Sequence, residues 1–200
     1  MLKALPSFVT ALTAIVGVCF AKRGLDKWHA ETIGKRKAEL AEQALMAFYE
    51  ARDVFVWVRS PGMFGGEGST RQSISGETER QRSERNTYFI PLERLTREAD
   101  LFARLQALRY SFAAYFGPKA VPPFQAIRNA QAEISSTVGV LMQMIDEEGS
   151  TGQFRQDNVE PLKATLWGAP QRPDKFDESI AEAVRQIENL CKPVLEKVGP

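Results

Sequence analysis

The chain has 200 residues, of which 44% are hydrophobic and 26% are charged, and its formal net charge at pH 7 is +1. This composition is ordinary for a globular protein and excludes a wholly disordered chain, a collagen-like fibre and a polytopic membrane protein. The near-zero net charge argues against a general attraction to nucleic acid, so we expect no nucleic-acid partner.

The first feature along the chain is an uncharged segment between Lys3 and Lys22. Thirteen of its 18 residues are Ala, Val, Ile, Leu, Phe or Cys. As a helix the segment is about 27 Å long, just short of the ~30 Å hydrocarbon core of a bilayer. We therefore predict that residues 1–23 form a single transmembrane helix. Its membrane-spanning positions include Ala4, Phe8, Leu12, Ile15 and Ala21.

Two alternatives to a membrane anchor are open at this point. A cleaved signal peptide would end near Ala21, but two basic residues, Lys22 and Arg23, would directly follow the cut. A buried helix of a soluble fold would normally have a polar face, whereas this segment offers only hydroxyl groups.

Small side chains recur at every fourth position of the segment, at Thr13, Gly17 and Ala21. This spacing lets two membrane helices approach closely. We interpret this face as a candidate helix–helix contact of a homodimer, the alternative being the ordinary use of small residues in a membrane span.

Basic side chains dominate the region that follows. Residues 22–37 contain six basic and two acidic side chains. The basic ones are Lys22, Arg23, Lys27, Lys35, Arg36 and Lys37. Positive charge beside a membrane segment is typical of its cytoplasmic side and attracts anionic lipid. We therefore expect a single-pass protein of the cell (inner) membrane, with the lipid bilayer as a partner and the C-terminal domain in the cytoplasm.

Apolar residues at spacings of three and four predict helices over the rest of the chain, and no stretch shows the sustained period-2 alternation of a strand. The predicted helices span residues 25–58, 91–116, 122–147 and 175–198, with a short helix over 161–167. Gly24 is a candidate break before the first of them. These amphipathic helices favour an all-α, antiparallel four-helix-bundle-like domain over residues 24–200. A dimeric coiled-coil stalk over residues 25–58 is the alternative, although its apolar stripe is not a strict heptad.

Residues 60–86 interrupt this pattern. The segment is rich in Gly, Ser, Glu and Arg and nearly free of large apolar residues, so we expect a mobile linker. Its glycines between Gly65 and Arg71 could point N–H groups at an anion. The strand and the lysine of a phosphate-binding loop are missing, however, which favours a plain connection.

No catalytic or metal-binding constellation is recognisable in the sequence. The chain has one histidine, His29, and two cysteines, which exclude a multi-histidine metal site and a disulfide framework. Cys191 lies on an apolar helix face, where a small core residue is expected. Four arginines of the second predicted helix could bind an anionic substrate if they converge on one pocket. They are Arg94, Arg97, Arg104 and Arg109.

These observations favour a membrane-anchored binding protein, an adaptor or regulatory accessory module with an unknown protein partner, without a cofactor or enzymatic activity. The alternative is an extracytoplasmic helical-bundle sensor or ligand-binding protein, tethered by an uncleaved signal anchor. A third hypothesis is a membrane-bound enzyme that uses the four arginines. Fold class alone does not decide among them.

Overall fold

A computed structural model of the chain describes residues 5–146, 152–169 and 173–197, without the side chains of 5–16, 18, 19, 146 and 152–158. Over these ranges the chain forms six α-helices, one 3-10 helix and no strand, so the predicted all-α, bundle-like fold is confirmed. The helices are α1 (Leu5–Val58), α2 (Glu79–Arg97), α3 (Ala99–Phe116), α4 (Pro122–Asp146), α5 (Gly152–Trp167) and α6 (Lys175–Glu196), with the 3-10 helix at Pro118–Ala120.

Helix α1 packs against α3. Near the start of their contact, the Lys37 ammonium lies 5.7 Å from the centre of the Phe116 ring. Farther along α1, Glu50 forms an ion pair with Arg104. Because residue numbers rise along α1 while they fall along α3, the two helices run antiparallel.

Helix α6 also packs against α1, and it too runs antiparallel to it. The Tyr49 hydroxyl donates to Glu188 in the second half of α6, whereas Arg59 pairs with Asp174, the residue that caps the start of α6. Helix α4 packs against α2, α5 and α6 and completes the bundle.

Aromatic rings fill the centre of the core. The edge of Phe48 meets the Phe124 ring at a centroid distance of 4.9 Å, and Phe112 approaches the same ring at 5.2 Å. The apolar stripes predicted for the third and last helices supply much of the surrounding aliphatic core. Its members include Ile127, Ile134, Val138, Leu141, Ile180, Val184 and Ile187.

Of the two possibilities at Gly24, a break or a continuous helix, the structure has the second, because α1 runs without interruption from Leu5 to Val58. An interior glycine costs a helix only about 1 kcal/mol. The described side chains from Phe20 to Ile33 are all exposed, and burial against the bundle begins at Ala38. Residues 17–36, called the stalk below, therefore project from the bundle.

The second predicted helix begins earlier than predicted, and it is two helices rather than one. Helix α2 begins at Glu79 because Thr78 and Gln81 form a capping box, and Pro91 lies inside the helix. The chain leaves helical geometry at Glu98 (φ −100°, ψ 20°), which separates α2 from α3. Helix α5 also begins earlier than predicted, at Gly152. The described chain therefore contains six α-helices, whereas four long helices and one short helix were predicted.

The structure describes few side chains of the predicted membrane-spanning positions. Ala4 lies outside the described residues, as do the side chains of Phe8, Leu12, Thr13 and Ile15. Among the described residues, no helix combines the length and the apolar character needed to cross a bilayer.

Truncation of Phe48, which is fully buried, is expected to destabilise the fold by about 3–5 kcal/mol, because Phe48→Ala leaves a cavity facing Phe124. Urea unfolding of the full chain measures the change. Val140→Ala, at an exposed position of α4, serves as the control and should change stability by less than about 0.5 kcal/mol. Equal losses in the two variants would contradict this description of the core.

Candidate binding surface at the end of α1

A buried arginine organises the chain where α1 ends. Arg94 of α2 is fully buried, and all five of its N–H donors have acceptors. Nε and Nη2 donate to the two carboxylate oxygens of Glu67, at 3.0 and 2.6 Å. The remaining donors bind the carbonyls of Trp57, Ser60 and Gly62. One side chain thus holds the end of α1 and the loop that follows it.

This ion pair keeps Glu67 charged. The hydrogen bonds from Arg94 lower the pKa of Glu67 from its ordinary 4.5 to about 2, although burial opposes the shift. The side chains of both residues are nearly inaccessible to solvent. An ion pair in this setting depends on both partners, because removal of one leaves the other charge buried without compensation.

A second carboxylate fixes the glycine-rich stretch. The Gly68 N–H donates to Glu93 Oε2 at 2.5 Å, and Arg97 binds Glu93 Oε1 at 2.6 Å. Glycine-rich loops direct N–H groups at anions, and here the anion is the protein's own carboxylate. The hypothesis of an external anion site over Gly65–Arg71 is therefore wrong at Gly68, whose N–H is already bound.

The rest of the loop is held by a third ion-pair cluster. Burial alone would raise the pKa of Glu77, but hydrogen bonds from Arg71 (2.8 Å) and Arg85 (2.9 Å) outweigh it and lower the pKa to about 2. Arg71 also donates to Asn86. Of the segment 60–86 predicted to be a mobile linker, residues 79–86 belong to helix α2, and several of the charges that suggested solvation form buried pairs.

Arg59, the residue after α1, closes the same end of the bundle. Its guanidinium is buried and binds Asp174 and Asp177, each at 2.6 Å. It also donates to the carbonyls of Ala164 and Thr165 near the end of α5. Burial would raise the pKa of Asp174, but the hydrogen bonds from Arg59 hold it well below its ordinary value.

Within this fixed frame, two large apolar side chains point outward. Met63 and Phe64, called the loop tip below, are 62% and 70% exposed. The Phe64 N–H donates to Glu67 at 3.0 Å, so the backbone of the tip is held by the same carboxylate that binds Arg94. Exposed methionine and phenylalanine on a pre-organised loop can enter an apolar pocket of another protein with little ordering cost.

The surface also has a groove between α1 and α3, with a cavity volume of about 380 Å³. Its floor is apolar and includes Leu40, Ala47, Ala107 and Leu108. Arg36 and Arg104 lie at the rim, where they form exposed ion pairs with Glu39 and Glu50. Both arginines are thus already engaged by carboxylates of this chain.

The four arginines proposed to bind an anionic substrate do not converge. Arg94 is bound by Glu67, Arg97 by Glu93 and Arg104 by Glu50, while Arg109 lies 3.5 Å from Gln125. The hypothesis of a substrate pocket built from them is therefore wrong. Nor do three or more His, Cys, Asp or Glu side chains come together as a metal site in the part of the chain that was described.

The other predicted positions are separate from the loop. The basic side chains of the stalk are exposed: Lys22, Arg23, Lys27, Lys35 and Arg36. Gly17 and Ala21 are exposed as well. Cys191 is fully buried in the core, as predicted, and burial raises the pKa of its thiol to about 12.

Comparison with known proteins gives no relative. No protein-family model matches the chain, and neither a curated protein nor a solved structure matches it.

Gly68 offers a direct test of how tightly the loop is seated. Its φ is +78°, and a Cβ there would lie 2.1 Å from the Asn86 carbonyl oxygen. Gly68→Ala should therefore lower the free energy of unfolding by at least about 2 kcal/mol and open the loop to trypsin at Arg71. Gly65→Ala is the matched control, because a Cβ there meets no atom within 4 Å. Equal trypsin resistance in both variants would contradict the seating described here.

Acid should weaken the loop through Glu67. Since its folded pKa lies below the unfolded value, its ionisation stabilises the fold above pH ~4.5, and this contribution is lost as the pH falls toward ~2. Glu67→Gln should cost about 3 kcal/mol at pH 7, because Arg94 loses its counter-charge, and should flatten the decline between pH 5 and 2. Urea unfolding across this range measures both effects.

Glu79→Gln is the control for the acid experiment, because the Glu79 side chain is 87% exposed. Its stability should follow the wild-type curve. A Glu67→Gln curve parallel to that of the wild type would exclude Glu67 as a source of the acid sensitivity.

Proposed function

We propose that this chain is a single-span membrane protein whose helical bundle is a binding module, an adaptor or regulatory accessory subunit on the cytoplasmic face. In this proposal, residues 4–21 anchor the chain and the loop tip contacts a protein partner. The observation that carries the proposal is the loop tip itself: two adjacent apolar side chains, exposed on a loop whose backbone is fixed by buried ion pairs.

The position of the loop tip supports a protein partner over a lipid. The loop follows the C-terminal end of α1, whereas the uncharged segment lies at the N-terminal end. From Ala21 to Val58 the helix rises by about 55 Å at about 1.5 Å per residue. A tip held this far from the anchor would meet a cytosolic protein or the soluble domain of a membrane protein.

Charge supports the anchor and its orientation. The segment 4–21 carries no charged residue, and the six basic residues of 22–37 directly follow it. Five of them are exposed and accessible to anionic headgroups, although Lys35 also pairs with Glu31 at 3.0 Å, whereas Lys37 is half-buried beside Phe116 of the bundle. Each accessible basic residue near an anionic surface contributes on the order of 1 kcal/mol to membrane attachment.

Alkaline extraction of membranes tests the anchor. The wild-type chain should stay in the membrane pellet, and Ile15→Arg should move it toward the supernatant, because a charge at the centre of a span costs about 2.5–3.5 kcal/mol. Ile33→Arg, in the exposed stalk, is the control and should stay in the pellet. A C-terminal reporter that reads outside the cytoplasm would contradict the orientation and favour the tethered sensor.

Site-specific photo-crosslinking in cells tests the loop tip. A photo-reactive residue in place of Phe64 should give discrete crosslinked species that are absent with the same residue in place of Val140, an exposed position of α4. The species should be lost in the Gly68→Ala background, in which the loop is displaced, and kept in the Gly65→Ala background. Identical crosslinks from both sites, or crosslinks indifferent to Gly68→Ala, would contradict a partner at the loop tip.

A further inference from the structure

The stalk is a helix without a visible source of tertiary support. All its described side chains from Phe20 to Ile33 are exposed, and a Cβ at Gly24 or Gly34 would meet no atom within 4 Å. Helices gain most of their stability in proteins from packing an apolar face, and interior glycines weaken them further. A continuous helix through this region therefore indicates a packing partner for the stalk.

One face of the stalk has the side chains to provide that packing. Ala21, Leu25, Trp28 and Thr32 follow one another at spacings of four, three and four, the spacing of the contact positions in a coiled coil. Leu25 and Trp28 are 64% and 63% exposed. We call these four residues the stalk face. Lys35, the next position in the series, ends the apolar stretch.

The charges beside the stalk face favour a second copy of this chain as its partner. In a parallel two-stranded coiled coil, the residue before each a position flanks the seam. It faces the residue five places later on the other helix. With the stalk face as the contact, Glu31 lies opposite Arg36 of a second copy, which is an attractive pair. The other such pairs, Gly24 with His29 and Gly17 with Lys22, bring no like charges together.

Two of the remaining charges of the stalk point away from this seam, whereas Lys35 occupies the contact position at which the seam ends. Arg23 and Lys27 lie on the opposite side of the helix, together with Ala30. Within the bundle, the side of α1 that continues the stalk face carries Met46, which is 65% exposed, so the bundle's own core does not use that side.

We propose that two copies of this chain pair in parallel through the stalk face. Glu31 of each copy exchanges its exposed pair with Lys35 for Arg36 of the other copy, and Arg36 leaves its exposed pair with Glu39. The parallel direction rests on the proposed membrane anchor, which places both N-termini in one bilayer. The pairing places two loop tips at the far ends of two neighbouring bundles.

Oxidative crosslinking of single cysteines tests the pairing in membranes that contain the full chain. The background is Cys19→Ser, whereas Cys191 is retained because it is fully buried in the core. Disulfide dimers should form with Ala21→Cys, Leu25→Cys, Trp28→Cys and Thr32→Cys. They should be severalfold fewer with Arg23→Cys, Lys27→Cys and Ala30→Cys. A flat profile, or a maximum at the second set, would overturn the proposal.

Charge exchange tests the pair across the seam with the fold kept constant. Glu31→Arg and Arg36→Glu should each lower the Leu25→Cys dimer yield severalfold, and the double exchange should restore it. Failure of the double exchange to restore the yield would overturn the proposed register.

Alkaline extraction of the same samples separates the two proposals. A chain that leaves the membrane yet crosslinks with the expected periodicity would contradict the anchor alone. A chain that stays in the membrane with a flat profile would contradict the pairing alone.

Discussion

Two arginine side chains, Arg59 and Arg94, are buried where α1 ends, and each brings a positive charge and five N–H donors into the interior. Burial of such a group is tolerated only when a counter-charge and acceptors surround it. Both sites also lie at the C-terminal end of a helix, α1 for Arg94 and α5 for Arg59, where free carbonyls and the helix dipole favour a cation. The helix ends and the carboxylates together satisfy the two guanidinium groups.

The need to satisfy these groups determines what surrounds them. Arg94 requires the loop carboxylate of Glu67, and Arg59 requires Asp174 in front of α6. Elements distant in sequence are thereby held at one end of the bundle by bonds with strict geometry rather than by apolar area alone. The loop tip owes its fixed position to this network, although Met63 and Phe64 themselves are largely exposed.

The apolar stripes predicted the core well, because a helix that buries one face repeats its large side chains at a fixed spacing. The loop was not predictable by the same reasoning. Its Arg and Glu residues are typical of a solvated linker, and only the fold places Glu67, Glu77 and Glu93 beside their partners. One local signal was available, since Thr78 and Gln81 have the spacing of a capping box and mark the true start of α2. No comparable signal precedes the break at Glu98.

The unbroken course of α1 has a consequence for how the bundle faces its surroundings. Because the stalk and the first bundle helix are one helix, they share a single rotational phase. Insertion of one residue between Ile33 and Ala38 would turn the whole bundle by about 100° around the helix axis and raise it by about 1.5 Å. Insertion of seven residues would return it to within about 20° of its first direction, about 10 Å higher. The number of residues in the stalk, more than their identity, therefore sets the direction in which Met63 and Phe64 are displayed.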